Sequence, residues 1–189
     1  MARRERSRLP ASQRREQIIA AATALVAERG FWGLSMQDVA DECGLTVPGL
    51  LHHVGSKDGL LVAVLAHRDA EDSRALGEPR PADLRTLCAA LVRRNATQPE
   101  IVRLFAVLAA ESLAPDHPAH DYFAARQRTV LDSLATLAKP VCDRPEALAR
   151  QIMAAMDGLQ LQWLRDPAGT DLVAMWREAE ATLFAGLSG

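Results

Sequence analysis

The stretch Ser35-Met36-Gln37-Asp38-Val39-Ala40-Asp41-Glu42-Cys43-Gly44-Leu45-Thr46-Val47-Pro48-Gly49-Leu50-Leu51-His52-His53-Val54-Gly55-Ser56-Lys57 decides how the rest of the chain is read. Ser35 is a good N-cap, and Asp38 three residues on completes a capping box. Met36, Val39 and Ala40 form the apolar face of a short helix. Gly44 falls where a helix ends in a left-handed residue, which glycine takes at least cost. Leu45 is a buried-type turn residue and Thr46 a second N-cap. Pro48 sits in the first turn of the next helix, where a missing N–H costs little. Short helix, glycine turn, short helix is the layout of a DNA-binding helix-turn-helix, although an ordinary helical hairpin has the same outline. Ser56 caps a third helix whose first residue, Lys57, can reach a phosphate together with the backbone N–H groups there.

Outward from this stretch, Ser12 to Arg29 reads as a helix with Ile18, Ile19, Ala22, Leu25 and Val26 on one face. Gly30 ends it, and Phe31 and Leu34 pack the link. This helix braces the two that follow, which are too short to be stable alone. A fourth helix runs from Lys57 to about Leu76, with Leu60, Leu61, Val64 and Leu65 facing the head. It joins the head mechanically to whatever follows Gly77 to Pro81, a break that marks a domain boundary. Residues 1 to 14 carry Arg3, Arg4, Arg6, Arg8 and Arg14 and read as a disordered arm. Two readings stay open for it, a solubilising tail and an arm that follows the phosphate backbone or enters the minor groove.

Beyond residue 77, five further helices are expected: Ala82 to Ala96, Pro99 to Ala114, Ala119 to Ala138, Pro145 to Leu164 and Asp171 to Leu187. Pro99, Pro115, Pro118, Pro140, Pro145 and Pro167 punctuate them, and no stretch alternates as a strand does. The expected fold is all-α with about nine helices. An arm plus helix-turn-helix domain occupies 1–56, a connecting helix 57–76, and a ligand-binding and dimerisation domain 77–189. The last two helices are apolar nearly all round, as helices buried on more than one side are. One side can pack on the body and the other on a second subunit through Leu161, Trp163, Leu164, Trp176, Leu183 and Phe184.

From Arg15 to Leu65 the sequence resembles the N-terminal domain of the TetR family of bacterial transcriptional repressors. The resemblance rests on Gln17-Ile18-Ile19-Ala20-Ala21-Ala22, on Glu28-Arg29-Gly30-Phe31, on Val39-Ala40 before Cys43-Gly44-Leu45, and on Leu50-Leu51-His52-His53-Val54 before Ser56-Lys57. It implies the all-helical architecture, dimerisation through the last two helices as a four-helix bundle, and release from DNA by a small molecule. The family usually has tyrosine where this chain has Leu51 and often phenylalanine where it has Val54, so one usual hydroxyl contact to phosphate is missing.

Charge is distributed to match. Residues 1 to 68 carry nine Lys/Arg against seven Asp/Glu, and the remainder thirteen against seventeen, giving a mildly basic head and an acidic body. Cys43, Cys88 and Cys142 are odd in number and show no metal spacing, which fits a reduced, cytoplasmic compartment. Cys43 in the helix-turn-helix admits a redox role or that of a small core residue. No apolar run approaches the roughly 18 residues of a membrane span. Neither a nucleophile motif nor a glycine-rich phosphate loop is present. His117 and His120, beside Asp116 and Asp121, lie in a proline-broken loop with no further metal motif. No metal, cofactor or catalytic residue is therefore expected.

The expected function is a ligand-responsive DNA-binding regulator, a homodimeric repressor on a roughly palindromic operator. The alternative is a helical small-molecule-binding protein or enzyme without specific DNA binding. Val47, Pro48 and Gly49 form the turn that enters the major groove. None can hydrogen-bond a base through its side chain, but Val47 and Pro48 can meet thymine methyls. Gln37 can reach a base edge or a phosphate, and Ser35, Met36 and Leu51 border the contact. Thr46, His52, His53 and Lys57 are phosphate-type residues, which position rather than specify. For a mainly apolar effector the candidates are polar or adaptable residues on apolar faces: Cys88, Asn95, Phe105, Phe123, Gln127, Met153, Met156 and Gln160, with His67 on the path to the head. The amides Asn95, Gln127 and Gln160 either line a pocket or hydrogen-bond within the core.

Overall fold

A computed structural model describes residues 9–29, 33–75 and 83–185. Every regular element among these is a helix: α1 (Ala11–Arg29), α2 (Met36–Glu42), α3 (Val47–Val54), α4 (Lys57–Ala75), α5 (Leu84–Ala96), α6 (Pro99–Glu111), α7 (His120–Ala138), α8 (Pro145–Trp163) and α9 (Leu172–Leu183). The chain divides into two compact units, Met1–His67 and Arg68–Gly189, and the division falls within α4.

The first unit is held by a small apolar centre. α1 contributes Ile18, Ala22, Leu25 and Val26, while Ile19 is only half-buried. Val39 and Ala40 of α2, Leu50 and Val54 of α3, and Leu60, Leu61, Val64 and Leu65 of α4 close on it. Met36, expected on the inner face of α2, is half-buried. Ser35 caps α2 by accepting the Asp38 N–H at 3.1 Å, and its hydroxyl donates to the Asp38 carboxylate at 2.6 Å. The capping box is thus closed hydroxyl to carboxylate. The α2 end is a Schellman motif: Leu45 N donates to Ala40 O at 2.8 Å and Gly44 N to Asp41 O at 3.1 Å, with Gly44 at φ +64°.

α3 ends on a tighter device. Gly55 sits at φ +77°, ψ −62° while Ser56 N donates to Val54 O at 3.0 Å, a γ-turn of the rare positive-φ hand. Ser56 then caps α4 through Gly59 N at 2.9 Å. A Cβ at position 59 would lie 2.5 Å from Val54 O, so the corner closes only around glycine.

The second unit packs α7 on α8, and α9 on both α5 and α8. Its core contains Leu84, Leu87, Cys88, Val102, Leu134, Ile152, Trp163, Leu172, Trp176 and Phe184. Asp83 caps α5 through Thr86 N at 2.8 Å, and Asp171 caps α9 through Val173 N at 2.8 Å. Pro99 and Pro145 open α6 and α8 in the first turn, where no N–H is needed.

Several boundaries differ from expectation. α1 begins at Ala11, so Arg14, assigned to the arm by sequence, lies inside a helix. α6 stops at Glu111, three residues short, because Ser112 turns its hydroxyl onto Ala109 O at 2.9 Å and a loop of short turns begins. α9 ends at Leu183. Arg3, Arg4, Arg6, Arg8, Gly30, Phe31, the Gly77–Pro81 break and Leu187 lie outside the described residues.

Candidate nucleic-acid interface

The helix-turn-helix is built by its caps. Thr46 accepts Gly49 N at 3.2 Å and sets α3 in motion with Val47 and Pro48 in its first turn. Leu50 and Val54, four residues apart, turn inward, which leaves Pro48, Leu51 and His52 exposed and Val47, Gly49 and His53 half-covered. The first turn of α3 therefore offers methyl and ring carbons to the outside and no side-chain donor. On α2, Ser35 and Gln37 are exposed, and the Gln37 amide donates to the Asp41 carboxylate at 2.8 Å. His52 and His53 meet edge to face with centroids 5.6 Å apart at the end of α3. Lys57 is the half-buried first residue of α4.

Two contacts from α1 escape a local reading of the sequence. Arg15 Nη1 donates to the His53 carbonyl oxygen at 2.7 Å, and Arg14 Nη1 reaches the Cys43 carbonyl oxygen at 3.4 Å and the Gln17 side chain at 2.7 Å. Neighbouring arginines of α1 thus meet the negative ends of both α2 and α3. The available signal was two cations at the start of a helix, which does not reveal a partner 38 positions away. Cys43 itself is buried, and burial pushes its thiol up, disfavouring the thiolate that redox chemistry needs.

In the second unit the effector candidates separate. Phe105 and Phe123 come together edge to face with centroids 6.3 Å apart. Arg126 lies over the Phe105 ring at 4.5 Å, and Tyr122 meets Phe123 at 5.2 Å. Met153, Met156 and Gln160 are half-buried on α8. Three candidates need correction. Gln127 is exposed, although it shares a helical face with the half-buried Phe123 and Val130 and the buried Leu134. Cys88 is completely enclosed in the core, and burial pushes its thiol up to about 12. The Asn95 side-chain oxygen accepts Arg68 Nη2 at 3.3 Å, so that amide satisfies a buried cation. His67 is half-buried and closes the first unit.

The dimer residues also divide. Trp163, Trp176 and Phe184 belong to the chain's own core, with Trp176 only 1% exposed, and are not available to a partner. Leu161 is 51% exposed, and Leu164 and Leu183 are half-buried. On a helix apolar all round, a step of one or two residues turns a side chain from core to solvent. The loop histidines bond locally: His117 Nδ1 accepts Ala119 N at 3.1 Å, and His120 Nδ1 lies 2.8 Å from Ser112 O.

Comparisons with known proteins bear on the head and on the fold. A family model described as bacterial regulatory proteins, tetR family, matches residues 18–64. The HTH-type transcriptional activator FasR of Mycolicibacterium smegmatis is 39% identical over 62 residues, 33% of this chain and 28% of that protein. The match therefore spans under a third of that relative's length. A TetR transcription regulator from Haloarcula marismortui superposes with a TM-score of 0.77 at 21% identity, covering 94% of this chain and 100% of that one. Thermus thermophilus FadR, a TetR-family transcriptional repressor in complex with lauroyl-CoA, superposes with a TM-score of 0.62 at 23% identity, covering 93% and 95%. These structures share the fold over nearly the whole chain, and the sequence match falls on the helices that form the helix-turn-helix. Residues 18–64 thus match the tetR family of bacterial regulatory proteins, and the chain shares the fold of these solved structures.

Proposed function

We propose that this regulator binds a roughly palindromic operator as a cytoplasmic homodimer, represses transcription there, and is released by a small, mainly apolar molecule held in the body. The observation that carries the DNA side is the first turn of α3, capped by Thr46, with Pro48 exposed and Val47 half-covered beside it. Such a surface reads thymine methyls and groove shape, while Ser35, Gln37, His52, His53 and Lys57 hold the strand. Met36 and Leu51 border the contact. One such helix per subunit calls for two half-sites about one helical turn apart.

Support for the effector comes from the FadR complex with lauroyl-CoA. In this chain the candidates for holding such a molecule are Phe105, Phe123, Met153, Met156 and Gln160. Repression is our reading because FadR is named a repressor; FasR, the relative matched in the head, is named an activator. A reporter placed downstream of a bound site distinguishes the two.

The test is selection of duplexes from a random pool, followed by titration over a range of salt. Lys57→Ala should weaken binding to every duplex and flatten the salt dependence by about one unit of slope. Val47→Ala should change the selected sequence and leave the slope alone. Enrichment of no duplex by the unmodified chain would favour a small-molecule-binding protein without specific DNA contact.

A further inference from the structure

The recognition helix α3 has eight residues and cannot hold its own direction. Its inward residues, Leu50 and Val54, lie on a single stripe four residues apart. One stripe settles which face turns inward, and the packing of α3 on α1 and α2 limits how far it can rock about that line. The second constraint is at the far end, where Arg15 Nη1 donates to the His53 carbonyl oxygen at 2.7 Å. The bond places a cation on a carbonyl of the last helical turn, at the negative end of the helix.

Arg15 is at the same time exposed, and its guanidinium carries five N–H donors in a planar fork. One bond to His53 leaves four N–H donors on an exposed side chain at the end of α3. Phosphates flanking a groove are held by groups of this kind.

Resting on the DNA-binding reading above, we propose that Arg15 is the positioning residue of the recognition helix and bridges the α3 carboxyl end to an operator phosphate. The group that sets the pitch of α3 is then the group that fixes it to the strand. Depth in the groove is referenced directly to the backbone. Lysine cannot do both, because an ammonium is a point charge without the rigid fork.

The test uses the full chain, a duplex that the unmodified chain enriches from a random pool, and a random-sequence duplex of equal length. Binding is followed by fluorescence anisotropy across a salt series. Arg15→Gln should lower the salt slope by about one on both duplexes. It should also cut the affinity ratio between them about fivefold or more, within the range of a misplaced base contact. Arg15→Lys should keep the slope and still lose the ratio. An unchanged slope in Arg15→Gln would overturn the phosphate contact, even if the melting temperature falls, since that pattern marks a purely structural bond. Full recovery of the ratio by Arg15→Lys would overturn the positioning role. Failure of the unmodified chain to enrich any duplex would instead reject the DNA-binding reading itself, before any variant is compared.

Discussion

Arg126 holds Asp69 with two nitrogens, Nε to Oδ2 at 2.9 Å and Nη2 to Oδ1 at 3.1 Å, and the Tyr122 hydroxyl donates to the same carboxylate at 2.8 Å. The pair ties the body half of α4 to α7 two residues past His67. Beside it, buried Arg68 bonds Asp72 at 2.7 Å and also engages Gln98, while Arg94 pairs with Asp72. The Asp69 and Arg126 side chains are each about a third exposed, so solvent screens the pair. A double-mutant cycle with Asp69→Ala and Arg126→Ala should give a coupling of about 1 kcal/mol, falling as salt is raised. A coupling near zero would mean that Phe105, beneath the guanidinium, supplies what holds Arg126 in place.

The Trp176 indole is buried, and its Nε1–H has no hydrogen-bond partner among the described residues. Trp176→Phe removes that donor while keeping most of the ring, and should cost less than about 1.5 kcal/mol in urea unfolding. Trp176→Arg places an unpaired charge in the core and should cost about 3 kcal/mol or more. Equal costs for the two variants would show that ring shape, and not polarity, sets the tolerance of the site.

Leu161→Arg tests the proposed dimer without touching the core. At an exposed position the melting temperature of the isolated chain should stay nearly unchanged, while sedimentation shows the dimer fraction falling at micromolar concentration. A dimer that survives this change would place the interface off the Leu161 side of α8.

Burial raises the Cys88 thiol from 9.0 to about 12. Below pH 9 the native and unfolded chains both keep the proton, and the contribution to stability is complete. As pH rises from 9 towards 12, the unfolded chain releases a proton that the native chain retains, so stability falls. Tyr122 is raised in the same sense from 10.0, first by burial and then by the Asp69 carboxylate, so the window between pH 9 and 10 belongs to the buried thiols Cys88 and Cys43. Cys88→Ala should lower stability at neutral pH through the cavity it leaves, yet flatten the decline across that window. The same decline in the variant would assign it to Cys43, whose thiol is raised from 9.0 by burial as well.

What the sequence disclosed and what it withheld follow one physical division. Ser35, Gly44, Thr46, Pro48 and Ser56 act on atoms within a few positions of themselves, so their roles can be read from spacing alone, and the structure places each cap where its chemistry requires. The end of α8 carries Leu159, Leu161, Trp163 and Leu164 on every side and so has no phase there. Nothing in Leu161-Gln162-Trp163 says that the leucine faces out and the tryptophan in. Gln127 looks inward on a helical wheel drawn through Phe123 and Leu134 yet is exposed, because a wheel shows which face a residue shares and not how far a neighbouring helix covers that face. Partners far apart in sequence were illegible for a further reason. Tyr122 and Asp69 are 53 positions apart, and no local pattern encodes such a meeting.

The corner between α3 and α4 sets a limit on how this head can vary. Val54 O is already bonded to Ser56 N, and it stands 2.5 Å from where any Cβ at position 59 would be. The obstruction is backbone, which cannot rotate aside as a side chain can. In a library saturating residues 47 to 59, the groove-facing positions should accept many substitutions, each redirecting the regulator to other sequences. Position 59 has an alphabet of one letter. On the proposed DNA-binding reading, new operator preferences are acquired by exchanging the surface of α3, while the corner at which α3 hands over to α4 stays fixed by Gly59.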